Sequence, residues 1–267
     1  MLTKRFKGII KNGFLGAIYI LGALKDSKHI PILIYHSVDD SGSCISVSPS
    51  DFEKEMIYIK ENGYKTLNLN EAIGVWKGEV KKPHKAIVIT FDDGFQNNYD
   101  IVFPILKRLD LTATIFLTTG YLGKRCAWDK KGDIPQLPLL SWEMIKEMHE
   151  YGIDFQPHSV THPHLPLLSE KEIRYELNTS RATIEEKLGK KANIFCYPYT
   201  EFNEIVVQIL MEEGFVAAVT GHPEKEDLYA IRRVGRSHLT TPLAFKTALK
   251  GRFSLFYSFK RIVKRII

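Results

Sequence analysis

An α/β fold of parallel strands and crossover helices, closed into a (β/α) barrel as a single domain, is the fold class this sequence predicts. From residue 30 onward, short apolar runs of β-type residues alternate with longer segments of helical periodicity about eight times. Such alternation implies parallel strands joined by helices. The chain has 267 residues, and α/β barrels of roughly 200–250 residues form one domain. No internal repeat, low-complexity run or Gly/Ser linker divides the sequence. An open doubly wound sheet is the alternative.

The predicted strands are, in order, Ile32–Tyr35, Tyr64–Leu69, Ala86–Phe91, Thr112–Thr118, Ile153–Gln156, Asn193–Tyr197, Phe215–Thr220 and Tyr229–Val234. Helix signals lie between them. Ser50 with Glu53 forms a capping-box pattern ahead of Phe52, Met56 and Ile59, and Gly63 follows as a stop. Ser141 is placed to cap a helix containing Met144, Ile145 and Met148 that closes at Gly152. Ser169 with Glu172 repeats the capping box ahead of Ile173, Leu177, Ile184 and Leu188, with Gly189 as terminator. Thr241-Pro242 starts the last helix, because proline suits the first helical position. The longest irregular stretch, Tyr121 to Leu140, reads as a functional rim or lid.

Apolar residues at 44% and charged residues at 25% place the chain among ordinary globular proteins. The net charge of +6 hides an uneven distribution. Residues 1–28 carry a net +5 and residues 243–267 a net +7, which leaves 29–242 at −6. An acidic body argues against nucleic acid as a partner. Both basic ends also carry large apolar residues. Phe14 to Leu24 is apolar for only eleven residues, whereas a spanning helix needs about 20. After a basic stretch it also reads as signal-like, although no small-x-small cleavage site follows. Phe253 to Ile267 interleaves aromatic and aliphatic residues with Lys and Arg, a composition that suits an amphipathic helix on an anionic membrane surface. The organisation expected is therefore a basic, membrane-associating or signal-like segment at 1–28, a catalytic body at 29–242 and a basic amphipathic helix at 243–267. Cys44, Cys126 and Cys196 are odd in number and widely spaced, so no disulfide framework is expected. This leans toward a reducing compartment and the cytoplasmic membrane face, with an exported, membrane-anchored form as the alternative.

Chemistry gathers where the predicted strands end. Thr90-Phe91-Asp92-Asp93-Gly94 runs an apolar strand into two adjacent carboxylates, and such crowding of negative charge calls for a cation. His158-Ser159-Val160-Thr161-His162, bounded by Pro157 and Pro163, puts two imidazoles on one side of a single turn. His164 falls on another face. His36, Tyr199, Arg236 and His238 follow other strands, and active sites of barrel enzymes occupy the C-terminal ends of the strands. Asp93, His158 and His162 supply one carboxylate and two imidazoles, which leaves positions open for water on a divalent metal. Asp92 is then free to act as the base, a histidine opposite it as the acid, and a backbone N–H near Tyr199 as an oxyanion donor.

These residues resemble a known family. TFDDG (90–94), HSVTH (158–162) and YPY (197–199) are similar to the first three motifs of the polysaccharide deacetylases, carbohydrate esterase family 4, or NodB-homology domain, over roughly residues 30–240. The resemblance implies a distorted (β/α) barrel of seven or eight parallel strands. It further implies a divalent metal, zinc first with Co2+, Ni2+, Fe2+ or Mn2+ as alternatives, and hydrolysis of N-acetyl groups on the amino sugars of glycans. It matches Asp92 to the base, Asp93, His158 and His162 to the ligands, and Tyr199 to the oxyanion donor. Tyr35-His36 looks like the subgroup acting on poly-N-acetylglucosamine, where an early histidine is the acid; His238, in Arg236-Ser237-His238-Leu239, is the nearest match to the family's late histidine motif. Two departures stand out. Cys196 occupies the place of an arginine that orients the base, and Thr200 that of a glycine. Arg232, Arg233 or Arg236 is expected to replace the arginine.

The expected function is a metal-dependent de-N-acetylase acting on an N-acetylated polysaccharide or a lipid-linked sugar at a membrane surface, with the oligomeric state left open. The alternatives are the same site acting on a formyl amide or an O-acetyl ester, and a glycan-binding pseudoenzyme. Trp128 and Trp142 are candidates for stacking on sugar rings, although Trp142, on a helix, reads more often as core.

Overall fold

The computed structural model describes residues 30–129, 134, 136–221, 223, 225–235 and 241–250. Its centre is a parallel sheet built on the most apolar runs of the sequence. Strands β1 (Ile32–Tyr35) and β5 (Ala86–Phe91) are buried along their whole length, as parallel strands covered on both faces must be. β1 lies along one side of β5, pairing Ile32 with Val88 and Tyr35 with Phe91. Along the other side, β4 (Lys65–Leu67) pairs with Ala86–Val88 and β6 (Thr114–Leu117) with Thr90–Phe91. β7 (Asp154–Pro157) follows β6, and β11 (Val234–Gly235) flanks β1. A second parallel sheet contains β8 (Ile194–Cys196), β9 (Ala217–Thr220) and β10 (Ile231–Arg232). A small ladder of β2 (Ser37–Val38) and β3 (Ser46–Val47) sits beyond the end of β1.

The fold class is α/β with parallel strands, as expected, but the ladder does not close into a continuous barrel. It is interrupted twice, and each interruption has a side chain in it. β7 and β8 lie side by side without a shared ladder. There Gln156 Oε1 accepts from the Ile194 N–H at 3.1 Å, and His158 Nδ1 meets the Cys196 carbonyl at 2.8 Å. Alternate side chains of β7 thus satisfy backbone groups of β8. Gln156 is held in turn by Asp154, which pairs with Lys190. The second interruption splits the predicted strand Tyr229–Val234 at Arg233. β10 pairs with β9 and β11 with β1, so one chain segment passes from sheet to sheet across this residue.

Helices cover the sheets: α1 (Pro49–Glu61), α2 (Leu69–Trp76), α3 (Phe103–Leu109, entered through a π-helical turn at Asn98–Val102), α4 (Trp142–Tyr151), α5 (Glu170–Leu188), α6 (Glu204–Glu212) and α7 (Pro242–Leu249). Ser141, Ser169 with Glu172, and Thr241 cap as expected, and Gly152 and Gly189 terminate in the left-handed region. At α1 the cap is Ser48, not Ser50: Pro49 takes the first helical position and Ser48 Oγ accepts from the Asp51 N–H at 3.2 Å. Phe52, Met56 and Ile59 of α1 are fully buried, each contributing about 1.5–3 kcal/mol of burial. The rings of Tyr35, Phe52 and Phe91 meet at 5.4–5.8 Å directly beneath the strand ends. Among the described residues no helix is long and apolar enough to cross a membrane. The segments 1–28 and 251–267, on which the membrane-surface expectation rests, lie outside the described residues.

Candidate metal centre

Two vicinal carboxylates leave β5, and the structure sends them to different cations. The Asp92 N–H still donates to the Tyr35 carbonyl at 3.0 Å, prolonging the ladder. Asp93 and Gly94 then turn with φ of +74° and +79°. The left-handed conformation is what favours glycine at 94, where a Cβ would also press on the movable Leu117 side chain, 2.8 Å from its Cδ2.

Asp92 faces Arg233. Its two oxygens accept from Nη1 and Nη2 at 2.7 and 2.8 Å, a bidentate pair with the guanidinium fully buried. Nη1 also donates to Thr90 Oγ1 at 3.0 Å and Nη2 to Cys196 Sγ at 3.0 Å, while the cation sits 5.3 Å from the Phe116 ring. Burial opposes the ionisation of Asp92, but the guanidinium outweighs it and holds the carboxyl well below the usual range. Of the three arginines offered for this place, Arg233 fills it. Arg232 lies 3.7 Å from Glu226, and Arg236 is outside the described residues. Cys196, standing where an arginine was expected, leaves room for the guanidinium. Burial pushes its thiol well above the ordinary value, so it remains a neutral acceptor.

Asp93 faces the histidines. Its Oδ1 lies 3.5 Å from His158 Nε2 and 3.4 Å from His162 Nε2. The Cys196 carbonyl holds a proton on His158 Nδ1, which leaves a lone pair on Nε2. Burial pushes His158 down to about 4, and burial together with His158 pushes His162 well below its ordinary value. Burial and the neighbouring Asp92 push Asp93 up. Neutral imidazoles thus aim lone pairs at a carboxylate oxygen that is buried without a hydrogen-bond partner, as is His162 Nδ1. Such a cluster suits a cation, which would take the place of the proton that burial otherwise favours on Asp93. A tetrahedral ion with bonds of about 2.1 Å spaces its ligands about 3.4 Å apart, which is the separation seen. The residues fit a divalent metal. Asp92, His158 and Cys196 also bring possible ligand atoms within 4.8 Å of one another, but there the carboxylate is taken by Arg233 and the thiol is protonated.

Backbone strain marks the same place. Of the six non-glycine residues with positive φ among the described residues, Asp93, Ser159, His162, Tyr199 and Thr200 surround this site, and only Asp110, capping α3, does not.

The remaining expected residues are placed as follows. His36 Nε2 is 3.9 Å from Asp92 Oδ2, its side chain is 31% exposed and its pKa is lowered by burial; Asn98 Nδ2 donates to its carbonyl at 2.9 Å. The Tyr199 ring lies 4.5 Å from His162 and stacks on His164 at 4.0 Å. His164 bonds Glu201 at 2.8 Å and stays out of the ligand cluster, as expected. Trp128, offered as a sugar platform, is instead 8% exposed and stacked on His162 at 4.9 Å as a wall of the site. Trp142 opens α4 and packs on the core. His238 is outside the described residues. The described parts of the 121–140 stretch strap to the TFDDG turn, where the Leu140 N–H donates to the Gly94 carbonyl at 2.9 Å. Sequence reasoning missed Glu176, which accepts from the Val160 and Thr161 N–H groups and the Thr161 hydroxyl at 2.6–2.9 Å. Nothing marks it out among the charged residues of a long amphipathic helix.

The family model for polysaccharide deacetylases matches residues 79–218. The Bacillus subtilis (strain 168) protein YxkH, whose name assigns it to the polysaccharide deacetylases, is 30% identical over 209 residues, 77% of this chain and 70% of that protein. The poly-beta-1,6-N-acetyl-D-glucosamine N-deacetylase of Staphylococcus aureus (strain MSSA476) is 29% identical over 180 residues, 63% of this chain. The chain spans 59% of that relative's length. The solved structure of IcaB from Ammonifex degensii superposes with a TM-score of 0.70 at 25% identity, covering 85% of this chain and 98% of that one.

Proposed function

This chain belongs to the polysaccharide deacetylase family, and on that premise we propose that it hydrolyses the N-acetyl groups of N-acetylglucosamine residues in a glycan. One observation carries the reading: Asp92, held ionised by Arg233, stands beside a buried Asp93–His158–His162 cluster in which Asp93 Oδ1 has no hydrogen-bond partner. Asp93, His158 and His162 would hold a divalent metal, zinc by the tetrahedral spacing. When bound, such an ion lowers the pKa of water from about 15.7 toward 7 and polarises an acyl oxygen.

Arg233 occupies one lone pair on each Asp92 oxygen and leaves the others free to accept a proton. Because Arg233 also makes Asp92 a weak base, Asp92 accepts a proton only from water already made acidic. His36, across from Asp92 and neutral at the start because burial lowers its pKa, takes up the proton that Asp92 removes from water and delivers it to the departing amine. An O–C bond forms to the acyl carbon, the C–N bond breaks, and acetate and the free amino sugar leave. The backbone N–H of Tyr199 donates to the oxyanion. The name of the staphylococcal relatives supports a β-1,6-linked N-acetylglucosamine polymer as the substrate class. The basic, apolar ends of the sequence support a membrane surface as the place of work.

The test is acetate release from N-acetylglucosamine oligosaccharides by the full chain, after chelation and after readdition of Zn2+. Activity should vanish and return, and Asp92→Asn should abolish it with the metal retained. Stoichiometric metal with no hydrolysis of any acyl sugar would replace this reading with a glycan-binding protein.

A further inference from the structure

The five-residue loop from His158 to His162 carries two of the three candidate ligands, and its backbone is gripped from both sides. On one side, Glu176 reaches up from α5. It is 5% exposed, and its carboxylate accepts from the Val160 N–H at 2.7 Å, the Thr161 N–H at 2.9 Å and the Thr161 hydroxyl at 2.6 Å. On the other side, the turn after β6 donates to the loop's carbonyls: Thr119 N–H to Ser159 at 3.1 Å and Gly120 N–H to Val160 at 2.9 Å. Inside the loop, Ser159 Oγ accepts from the His162 N–H at 2.9 Å. A Cβ on Gly120 would stand 2.7 Å from the Val160 carbonyl oxygen, so the turn must carry glycine to approach this closely.

This grip has work to do. Ser159 and His162 hold positive φ of +67° and +58°, a conformation that non-glycine residues rarely adopt. The loop left to itself would relax and swing the imidazoles apart. Three hydrogen bonds to one buried carboxylate oppose that relaxation and hold the loop strained.

We propose that Glu176, with Gly120 opposite it, is a positioning residue of the metal centre: it sets the separation of His158 and His162, and through them the affinity for the ion. The inference rests on the reading that Asp93, His158 and His162 hold a divalent metal. Neither Glu176 nor Gly120 is among the ligands, and both act through the loop backbone.

The test is the Zn2+ affinity of the full chain, measured by competition with a chromophoric chelator on wild type, Glu176→Ala, Glu176→Gln and Gly120→Ala, with folding checked by circular dichroism. Glu176→Ala should bind Zn2+ about 10–100-fold more weakly, the usual cost of removing a partner that orients ligands. Glu176→Gln should stay within a few fold of wild type, because its amide oxygen can accept from both N–H groups and its NH2 can donate to the Thr161 hydroxyl. Gly120→Ala, pressing on the loop from the opposite side, should weaken binding in the same direction, and it carries the test alone if Glu176→Ala does not fold. A lowered melting temperature with affinity within twofold of wild type, in whichever of Glu176→Ala and Gly120→Ala folds, would make the grip a mere brace and overturn the proposal. Failure of the wild type to bind Zn2+ would instead remove the metal reading itself.

Discussion

Arg233→Met should unmask how Asp92 is kept ionised. The substitution keeps much of the apolar stem and removes the guanidinium, both bonds to Asp92, the bond to Thr90 and the contact with the Phe116 face. Asp92 is 4% exposed and Arg233 fully buried. Removing one partner of such a pair strands a charge and costs about 3–5 kcal/mol. For a domain of this size each kcal/mol moves Tm by about 2–4 °C, so a fall of roughly 6–20 °C is expected at neutral pH.

The pH dependence separates this mechanism from simple loss of packing. In the wild type the Asp92 carboxyl lies below its unfolded value. Its contribution to stability is therefore complete above the ordinary carboxylate range and is lost only as pH falls through the depressed value. Without Arg233, burial, the largest influence on Asp92, is opposed only by the lesser effects of His158 and His36 and raises the folded pKa above the unfolded one. The sign then reverses: the stranded charge is relieved as pH falls and Asp92 takes up a proton. Thermal melts followed by circular dichroism, from about pH 8 to about pH 5 at fixed metal, should show the gap between wild type and variant narrowing toward acid. The acidic limb of kcat/KM should move to higher pH in the variant. The double variant Asp92→Asn/Arg233→Met should be more stable than Arg233→Met alone, because a neutral amide replaces the unpaired carboxylate. A pH-independent gap, with the two substitutions additive, would refute the assignment.

Two further outcomes are expected. His36→Asn should lower kcat by about 10²–10⁴-fold, the usual yield of a positioned acid, with Zn2+ stoichiometry unchanged because His36 lies outside the ligand cluster; loss of metal in that variant would sink the acid role. Thr200→Gly should raise Tm by a few degrees, since Thr200 holds φ of +61° beside Gly221 and the left-handed penalty of about 1–2 kcal/mol exceeds the roughly 0.5–1 kcal/mol of added chain entropy. A lower Tm in a differential scan would mean that its Cγ2 packing against Gly221 outweighs the strain.

What the sequence made legible was whatever depends on neighbours along the chain. Strands such as Ile32–Tyr35 and Ala86–Phe91 declare themselves by apolar composition, and the Ser169–Glu172 box by a three-residue spacing. TFDDG and HSVTH were each ambiguous alone, and parallel-strand topology made them one place because both follow strands. Long-range partners left no such mark. Arg233 pairs with a residue 141 positions away, and at the sequence level it is one of several arginines around a β-type run. Glu176 looks like a solvent-facing residue of a charged helix, and only the fold turns it toward Val160 and Thr161. The ladder's openness was illegible for the same reason. It arises where Gln156, His158 and Arg233 put side-chain groups into places that backbone pairing would otherwise occupy, and periodicity does not reveal that.

The interruptions and the chemistry are therefore connected through charge. A closed, fully paired barrel would leave Asp92 and Asp93 side by side in a low-dielectric interior with nothing to balance them, a state burial strongly disfavours. Breaking the strand at Arg233 brings one fixed positive charge to Asp92 and leaves one negative charge in excess whenever Asp93 ionises, an ionisation that burial and Asp92 oppose unless a cation is bound. The seam between β7 and β8 lets the Cys196 carbonyl orient His158, so that neutral imidazoles and not further cations meet that excess. A monovalent ion there would bring the cluster to neutrality; a divalent ion leaves it with one positive charge, directed at whatever negative charge develops on a reacting acyl group. The placement of Arg233 on Asp92 alone, with no second arginine on Asp93 among the described residues, is the arrangement on which the proposed divalent ion and anionic transition state rest.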